Sequence, residues 1–150
     1  MVTFLPFTNY KQCAECLDLV RLNKQILEVN DILTGKFPYH PISLMWKKYH
    51  KSLNNYGYYM VNEYENRTGK RHSFHDKFMY YNTPLPDWLD NKIIISHRVN
   101  LLRKDYAHYS KYFKVKKPVD YYPKSYYWPI CKPGSYADLC SKEWEKVLSK

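Results

Sequence analysis

Within residues 21–28 the sequence places Arg21, Lys24, Gln25 and Glu28 at spacings of three and four. Residues three, four and seven apart share one face of an α-helix, so the pattern predicts two cations, an amide and a carboxylate on one side. Such a set could do chemistry, because a carboxylate transfers protons or stabilises a positive charge while cations bind phosphates. The alternative is a solvated helix face held by charge pairs.

A helix from Leu19 to about Leu33 would position these side chains. Asp18 is a suitable N-cap, and Thr34 with Gly35 ends the pattern. An apolar stripe with helical spacing is formed by Leu22, Ile26, Val29 and Leu33. The four polar residues lie beside this stripe, so we expect them to face the surface or a cleft.

Other polar and aromatic residues stand near predicted helix ends. A histidine precedes Pro41, where it could cap a helix, and an apolar stretch is interrupted by a histidine and three cations. These cations could bind phosphates or solvate a core helix, and a tryptophan beside two tyrosines could stack on an unpaired base or fill the core. The candidates are His40, His97, Arg98, Arg103, Lys104 and Trp128.

The spacing of apolar residues predicts helices along most of the chain and no alternating strand pattern. Helices are predicted from a Thr8 cap to about Leu17, over 19–33, from Pro41 to about Arg67 with at most an interruption at Gly57, from 86 to about 105, over 106–113, and after a Ser135 cap. Four prolines interleaved with tyrosines predict an extended segment over 114–134. We therefore predict a compact all-α fold forming one domain over residues 1–150.

The overall charge indicates the kind of partner. The net charge is +10, the pI is near 9.3 and aromatic residues make up 18% of the chain. Cations meet phosphates and rings stack on bases, so the composition favours a polyanionic partner, with an acidic membrane surface as the alternative. No stretch approaches the roughly 20 apolar residues of a membrane span, and no signal peptide is evident, so we expect an intracellular protein.

The four cysteines leave two interpretations open. Cys13 and Cys16 form a C-x-x-C pair, whereas Cys131 and Cys140 are nine residues apart and lack the spacing of a zinc knuckle. We expect free thiols packed as small apolar residues, no metal and no cofactor; a zinc-stabilised interaction protein is the alternative. No G-x-S-x-G, P-loop, H-E-x-x-H or dinucleotide-binding fingerprint is present.

Five blocks of sequence, in a fixed order between about residues 3 and 129, carry a resemblance. They are "TFLPF", "CLDLVRLNKQILE", "HPISLMWKKYHKSLNNYG", "LPDWLDNKIIISHRVNLLRKDYAHYSKYF" and "YYWP". Together they resemble the pyrimidine-dimer DNA glycosylase, or endonuclease V, family in its broader cellular and viral branch. The resemblance implies a compact all-α protein that binds double-stranded DNA, flips a nucleotide and cleaves the glycosidic bond with an amine nucleophile. A β-elimination then nicks the strand.

The implied chemistry assigns roles to this chain's residues. An α-amino group, with a pKa near 7.7–8.0, is roughly a fifth to a tenth neutral at pH 7 and so is a far better nucleophile than an ordinary lysine. Removal of Met1 would expose the amine of Val2; if Met1 stays, its own amine or Lys24 would have to act. Glu28 is the expected catalytic carboxylate, and the expected DNA contacts are Arg21, Gln25, His40, His97, Arg98, Arg103, Lys104 and Trp128.

Two departures from the best-known members matter. Those members expose a threonine at the mature N-terminus and place the catalytic glutamate directly after an arginine, whereas here Thr3 follows Val2 and Leu22 follows Arg21. A non-catalytic basic nucleic-acid-binding module of the same fold is therefore the alternative function. We expect a monomer that uses no small-molecule cofactor, and the frequent Lys, Asn, Tyr and Ile would suit an AT-rich genome such as that of a virus.

Overall fold

The computed structural model describes residues 1–150 and contains seven α-helices and no β-strand, which confirms the all-α prediction. A single 3-10 turn, Val119–Tyr121, lies in the segment between the sixth and seventh helices. The helices are α1 (Tyr10–Cys16), α2 (Leu19–Leu33), α3 (Pro41–Trp46), α4 (His50–Thr68), α5 (Asn91–Lys104), α6 (Tyr106–Tyr109) and α7 (Tyr136–Leu148). None of them combines the length and apolarity needed to cross a membrane.

Side-chain caps set most of the helix starts. Asp18 accepts from the backbone N–H of Arg21 at the start of α2, and Ser135 accepts from Asp138 at the start of α7, as predicted. The cap of α1 is Asn9 and not Thr8, and α5 begins later than predicted because Asp90 is its cap.

The predicted long helix is in fact two helices, and this is a correction. The break lies at residues 47–49 and not at Gly57, which stands inside α4. At the break the Tyr49 N–H turns back to the carbonyl of Trp46 at 2.8 Å, and the carbonyl of Met45 instead accepts from the indole N–H of Trp88 at 2.8 Å. A distant tryptophan thus satisfies the backbone group that ending the helix leaves free.

Gly57 has a packing function. An added Cβ would stand 2.8 Å from the ring of Phe78, so the glycine allows this ring to lie directly on the backbone of α4. The connector between α4 and α5 is held further by Asn55, whose side-chain amide exchanges hydrogen bonds of 2.8 and 2.6 Å with the backbone of Tyr81.

Replacing Gly57 by alanine should destabilise the protein by about 1–2 kcal/mol, because overpacking costs about 1–3 kcal/mol and the better helix propensity returns up to about 1 kcal/mol. Urea unfolding measures the loss. Asn66→Ala, at an exposed position of α4, is the control and should stay within about 0.5 kcal/mol of wild type. Adding Phe78→Leu to Gly57→Ala should relieve the clash; a Gly57→Ala variant more stable than wild type would contradict this account.

The proline- and tyrosine-rich segment is irregular apart from its 3-10 turn, and α5 fastens it. The guanidinium of Arg103 donates to the carbonyls of Val119, Tyr122 and Pro123 at 2.9–3.2 Å. Both terminal nitrogens of Arg103, which we expected to contact DNA, are thus directed at the protein's own backbone. The indole N–H of Trp144 in α7 donates to the carbonyl of Ser125 at 2.9 Å, so α7 closes the same segment.

One large apolar core joins α1–α6 to the N-terminal residues, and a smaller cluster of Val99, Tyr122 and Trp144 joins α7 to α5. Helix α4 packs against both α1 and α2. Arg67 of α4 also donates to the carbonyls of Ala14, Glu15 and Leu17 at 2.5–3.0 Å and so closes the C-terminal end of α1.

Candidate active site

The N-terminal segment, residues 2–6, is buried although it belongs to no helix or strand. A buried backbone without regular structure has polar groups that need partners, since an unpaired buried N–H or C=O is costly. Here side chains from α2, α4 and α5 supply those partners. The segment therefore lies in one defined position, and the first residue of the chain is held at a defined place.

Helices α2, α3 and α4 hold the first half of the segment. The Oε1 atom of Gln25 accepts from the Phe4 N–H at 2.8 Å, while its Nε2 donates to the Val2 carbonyl at 3.0 Å. The Tyr56 hydroxyl lies 2.8 Å from the Phe4 carbonyl and 2.6 Å from the Gln25 Oε1. The indole N–H of Trp46 donates to the Thr3 hydroxyl at 3.0 Å.

Helix α5 holds the second half. The backbone N–H of Leu5 donates to His97 Nδ1 at 2.8 Å, and Arg98 Nε donates to the Pro6 carbonyl at 2.7 Å. The Arg98 guanidinium also lies over the rings of Phe7 and Phe113. The structure thus differs from the expectation that His97 and Arg98 contact DNA, because His97 is only 1% exposed and both bind the N-terminal backbone.

Burial lowers the pKa of His97 from 6.5 to about 3, so this imidazole is neutral in the folded protein and charged in the unfolded chain below pH 6.5. The unfolded state then binds one proton more, and stability should fall as the pH falls from about 6.5 towards 3.

We expect this histidine to contribute up to about 1.4 kcal/mol per pH unit to that slope. Urea unfolding between pH 7 and 5 should show a steeper dependence for wild type than for His97→Gln. The exposed His50 gives the control, since His50→Gln should keep the wild-type slope. Equal slopes for wild type and His97→Gln would contradict the prediction.

Glu28 lies one helical turn beyond Gln25, beside the start of the N-terminal segment. It is 8% exposed, and burial raises the pKa of its carboxyl. The α-amino group of Met1, the Lys24 ammonium and the backbone N–H of Val2 oppose that rise and favour the carboxylate. The structure therefore places a carboxylate near the terminal amine.

The rest of the predicted stripe divides between interior and surface. Gln25, expected to contact DNA, is 1% exposed and binds backbone instead, whereas Lys24 is exposed next to Glu28. Arg21 is half-buried and pairs with Asp18 at 3.0 Å, while Lys104 is exposed in the last turn of α5 and forms no ion pair. We expected all four residues of the stripe to face the surface or a cleft; Arg21 and Lys24 reach the surface, whereas the N-terminal segment covers Gln25 and Glu28.

A cavity of about 600 Å³ opens beside Met1. Its walls include His40 and Trp128, whose rings meet edge to face at 5.6 Å, and its rim carries Lys124 and Lys132. Its further aromatic lining consists of Tyr39, Tyr126 and Tyr136. The cavity thus combines stacking surfaces with cations beside the terminal amine.

His40 has a defined orientation in this cavity. Its Nδ1 accepts from the Ile42 N–H at 3.0 Å, which caps α3 and leaves Nε2 without a protein partner. Burial, with the nearby α-amino group of Met1, lowers the pKa of His40. The ring is therefore neutral at pH 7, and its N–H is carried by Nε2.

Sequence reasoning missed the contribution of Tyr56 and Trp46 to this site. The available signal was their position inside the sequence blocks that carry the family resemblance, since Trp46 belongs to "HPISLMW" and Tyr56 to "SLNNYG". Residues of the blocks "TFLPF", "NKQILE", "MW" and "SHR" meet at the N-terminal segment. Much of this sequence pattern therefore serves to hold residues 2–6 in position.

The cysteines are all free thiols. Cys13 and Cys16 are buried and donate to the carbonyls of Phe7 and Cys13 at 3.2 Å, and burial raises the pKa of both thiols. No group of three or more His, Cys, Asp or Glu side chains is arranged to hold a metal ion.

Comparison with known proteins gives a family. No curated protein and no solved structure matches the chain. A family model described as pyrimidine dimer DNA glycosylase matches residues 1–77, just over half of the 150 residues, from the N-terminal segment through α4. The matched part contains Val2, Gln25, Glu28 and His40, which surround the terminal amine. The chain belongs to the pyrimidine dimer DNA glycosylase family.

Proposed function

We propose that this protein is a DNA glycosylase with AP-lyase activity, which excises a damaged pyrimidine, most directly a pyrimidine dimer, from double-stranded DNA. The observation that carries the proposal is the meeting of the chain's first residues with Glu28. Family membership supports glycosylase activity on pyrimidine dimers in general, and the net charge of +10 supports a polyanionic substrate.

The proposed nucleophile is the α-amino group of Val2, exposed when Met1 is removed. In the full chain the Val2 N–H already favours the Glu28 carboxylate, so removing Met1 would place a primary amine at that nitrogen. The hydrogen bonds to Val2, Phe4 and Leu5 would hold this amine in place. Lys24 is exposed, and no comparable set of contacts holds its side chain.

The proposed reaction has two stages. The neutral amine attacks C1′ of the sugar while the bond from C1′ to the pyrimidine nitrogen breaks, the base leaving with its bonding electrons and taking up a proton. The aminal then opens to an imine, loses a proton from C2′ and expels the 3′ phosphate, which breaks the C3′–O bond; water finally releases the amine. Glu28 would stabilise the cationic sugar and carry protons between these steps.

The cavity beside Met1 is the proposed space for the nucleotide taken out of the helical stack. Trp128 and Tyr126 offer rings on which a base can stack, and His40 offers an Nε2–H donor. Lys124 and Lys132 at the rim, with Arg21 and Lys24 on α2, would bind the flanking phosphates.

Borohydride trapping tests the proposal. The purified protein is incubated with UV-irradiated duplex DNA and, separately, with duplex DNA containing one abasic site, and intact-mass and peptide analysis locate any adduct. We expect an adduct on Val2 with both substrates. An adduct on abasic DNA alone would support the lyase activity and indicate that the enzyme excises a lesion other than a pyrimidine dimer. No adduct and no cleavage on either substrate, with DNA binding intact, would overturn the proposal in favour of a binding module.

A further inference from the structure

We propose that Gln25 is the positioning residue that fixes the amine-bearing residue against the Glu28 carboxylate. The inference rests on the proposed function for its chemistry, but its geometry stands on the contacts of one side chain. Gln25 contacts Val2, the residue that would carry the amine, through its carbonyl, and it also contacts the Glu28 carboxylate.

Both ends of the Gln25 amide have protein partners. Its Oε1 accepts from the Phe4 N–H at 2.8 Å and lies 2.6 Å from the Tyr56 hydroxyl, whose single proton is shared with the Phe4 carbonyl. Its Nε2 donates to the Val2 carbonyl at 3.0 Å and lies 3.4 Å from Glu28 Oε2. Because the Phe4 N–H can only donate, the oxygen must face Phe4 and the NH₂ group must face Val2 and Glu28. The orientation of the amide is therefore determined.

This arrangement joins the two partners through one rigid group. The Val2 carbonyl belongs to the same residue as the proposed nucleophilic nitrogen, and the second N–H of the amide is directed at the carboxylate. A near-attack geometry needs both groups held within fractions of an ångström, and a residue that binds both removes one source of freedom. Gln25 is 1% exposed, so it does not reach DNA itself.

An amide suits this place because it is neutral and can donate. A carboxylate at position 25 would keep the acceptor for Phe4 and Tyr56 but turn a second acceptor towards the Val2 carbonyl and Glu28. The two carboxyl groups would then share a proton until higher pH. Gln25→Glu thus changes the catalytic side of the residue and leaves its other side intact.

Other charged groups also face Glu28 and enter any pH profile. They are the terminal amine, Lys24 and Asp31 near the carboxylate, Tyr56 and Tyr126 at longer range, and His40 on the cavity side of the amine. None of them changes in Gln25→Glu, so a shift between wild type and variant reports on position 25.

The experiment compares wild type, Gln25→Glu and Tyr56→Phe, with Gln12→Glu as the control for adding a carboxylate at an exposed position. Single-turnover rates of adduct formation on abasic duplex DNA are measured from pH 5.5 to 9, together with DNA affinity. We expect Gln25→Glu to lose about 100-fold in rate, to move the acidic limb upward by about one pH unit, and to bind DNA within threefold of wild type. Tyr56→Phe, which removes the hydroxyl proton shared by the amide and the Phe4 carbonyl, should lose about 3–10-fold.

A second readout does not depend on activity. The rate at which a small acylating reagent labels the terminal amine, followed by mass spectrometry across pH, reports the pKa of that amine. Gln25→Glu should raise this pKa and Gln12→Glu should not. A wild type without glycosylase or lyase activity but with this shift would overturn the proposed function and keep the positioning role. Wild-type rates, pH profile and labelling in Gln25→Glu would overturn the positioning role, as would equal effects of the two glutamate variants.

Discussion

Replacing Glu28 by glutamine should reduce the rate of strand cleavage by roughly 10³-fold, a loss within the range of about 10²–10⁴ for a positioned acid–base group. The reason is that the amide can neither stabilise a cationic sugar electrostatically nor carry protons for the imine steps. The side chain keeps its shape, and a charge buried to 8% exposure is removed, so the fold should remain intact.

The measurement is single-turnover cleavage of damaged duplex DNA, with affinity determined on the same DNA. Affinity should stay within about threefold, because Glu28 is an anion and contributes no attraction to phosphate. Glu143→Gln, an exposed position on α7, is the control and should cleave like wild type. A Glu28→Gln variant that cleaves at the wild-type rate would refute the assignment of the catalytic carboxylate.

Blocking the α-amino group should have an effect at least as large. A protein carrying a cleavable extension joined directly to Val2 should form no trapped adduct, because an amide nitrogen is not a nucleophile. The extension would also run past Glu28 and the cavity on its way to the surface, so it would hinder the approach of DNA. Proteolytic release of the extension should restore trapping to the wild-type level.

Two controls make this result specific. The same extension placed after Lys150 should leave trapping unchanged, and Lys24→Ala should still form the adduct on Val2. Full trapping by the N-terminally extended protein, lost in Lys24→Ala, would assign the nucleophile to Lys24 instead.

The sequence predicted the helices best where caps and breakers are explicit. Helix α2 begins after Asp18 and ends at Leu33 as predicted, and α7 follows Ser135. No proline or glycine stands at the end of α3. The free carbonyl of Met45 there accepts from the indole N–H of Trp88, 43 residues further along the chain. Such a partner cannot be read from local patterns.

The same limit applies to the site. The polar residues of the motif blocks were expected to face DNA, and Glu28 and His40 do lie by the terminal amine. Gln25, His97, Arg98 and Arg103 instead bind the protein's own backbone. Cations and amides that bind phosphate are the same residue types that bind carbonyls, so spacing alone does not separate the two roles. What decides is the buried backbone of residues 2–6, which lies outside any helix or strand and therefore takes its hydrogen-bond partners from side chains.

The contacts that hold the N-terminal segment also set an order of events during folding. Leu5 and Pro6 are bound by His97 and Arg98, each 92 residues further along the chain. Contacts this distant in sequence form late, since closing a long loop costs entropy before the contact repays it. Leu5 and Pro6 therefore take their final positions only after α5 has formed. In the proposed enzyme the amine and Glu28 would be aligned only at that stage, so we expect fragments that end before α5 to contain both groups without forming the site.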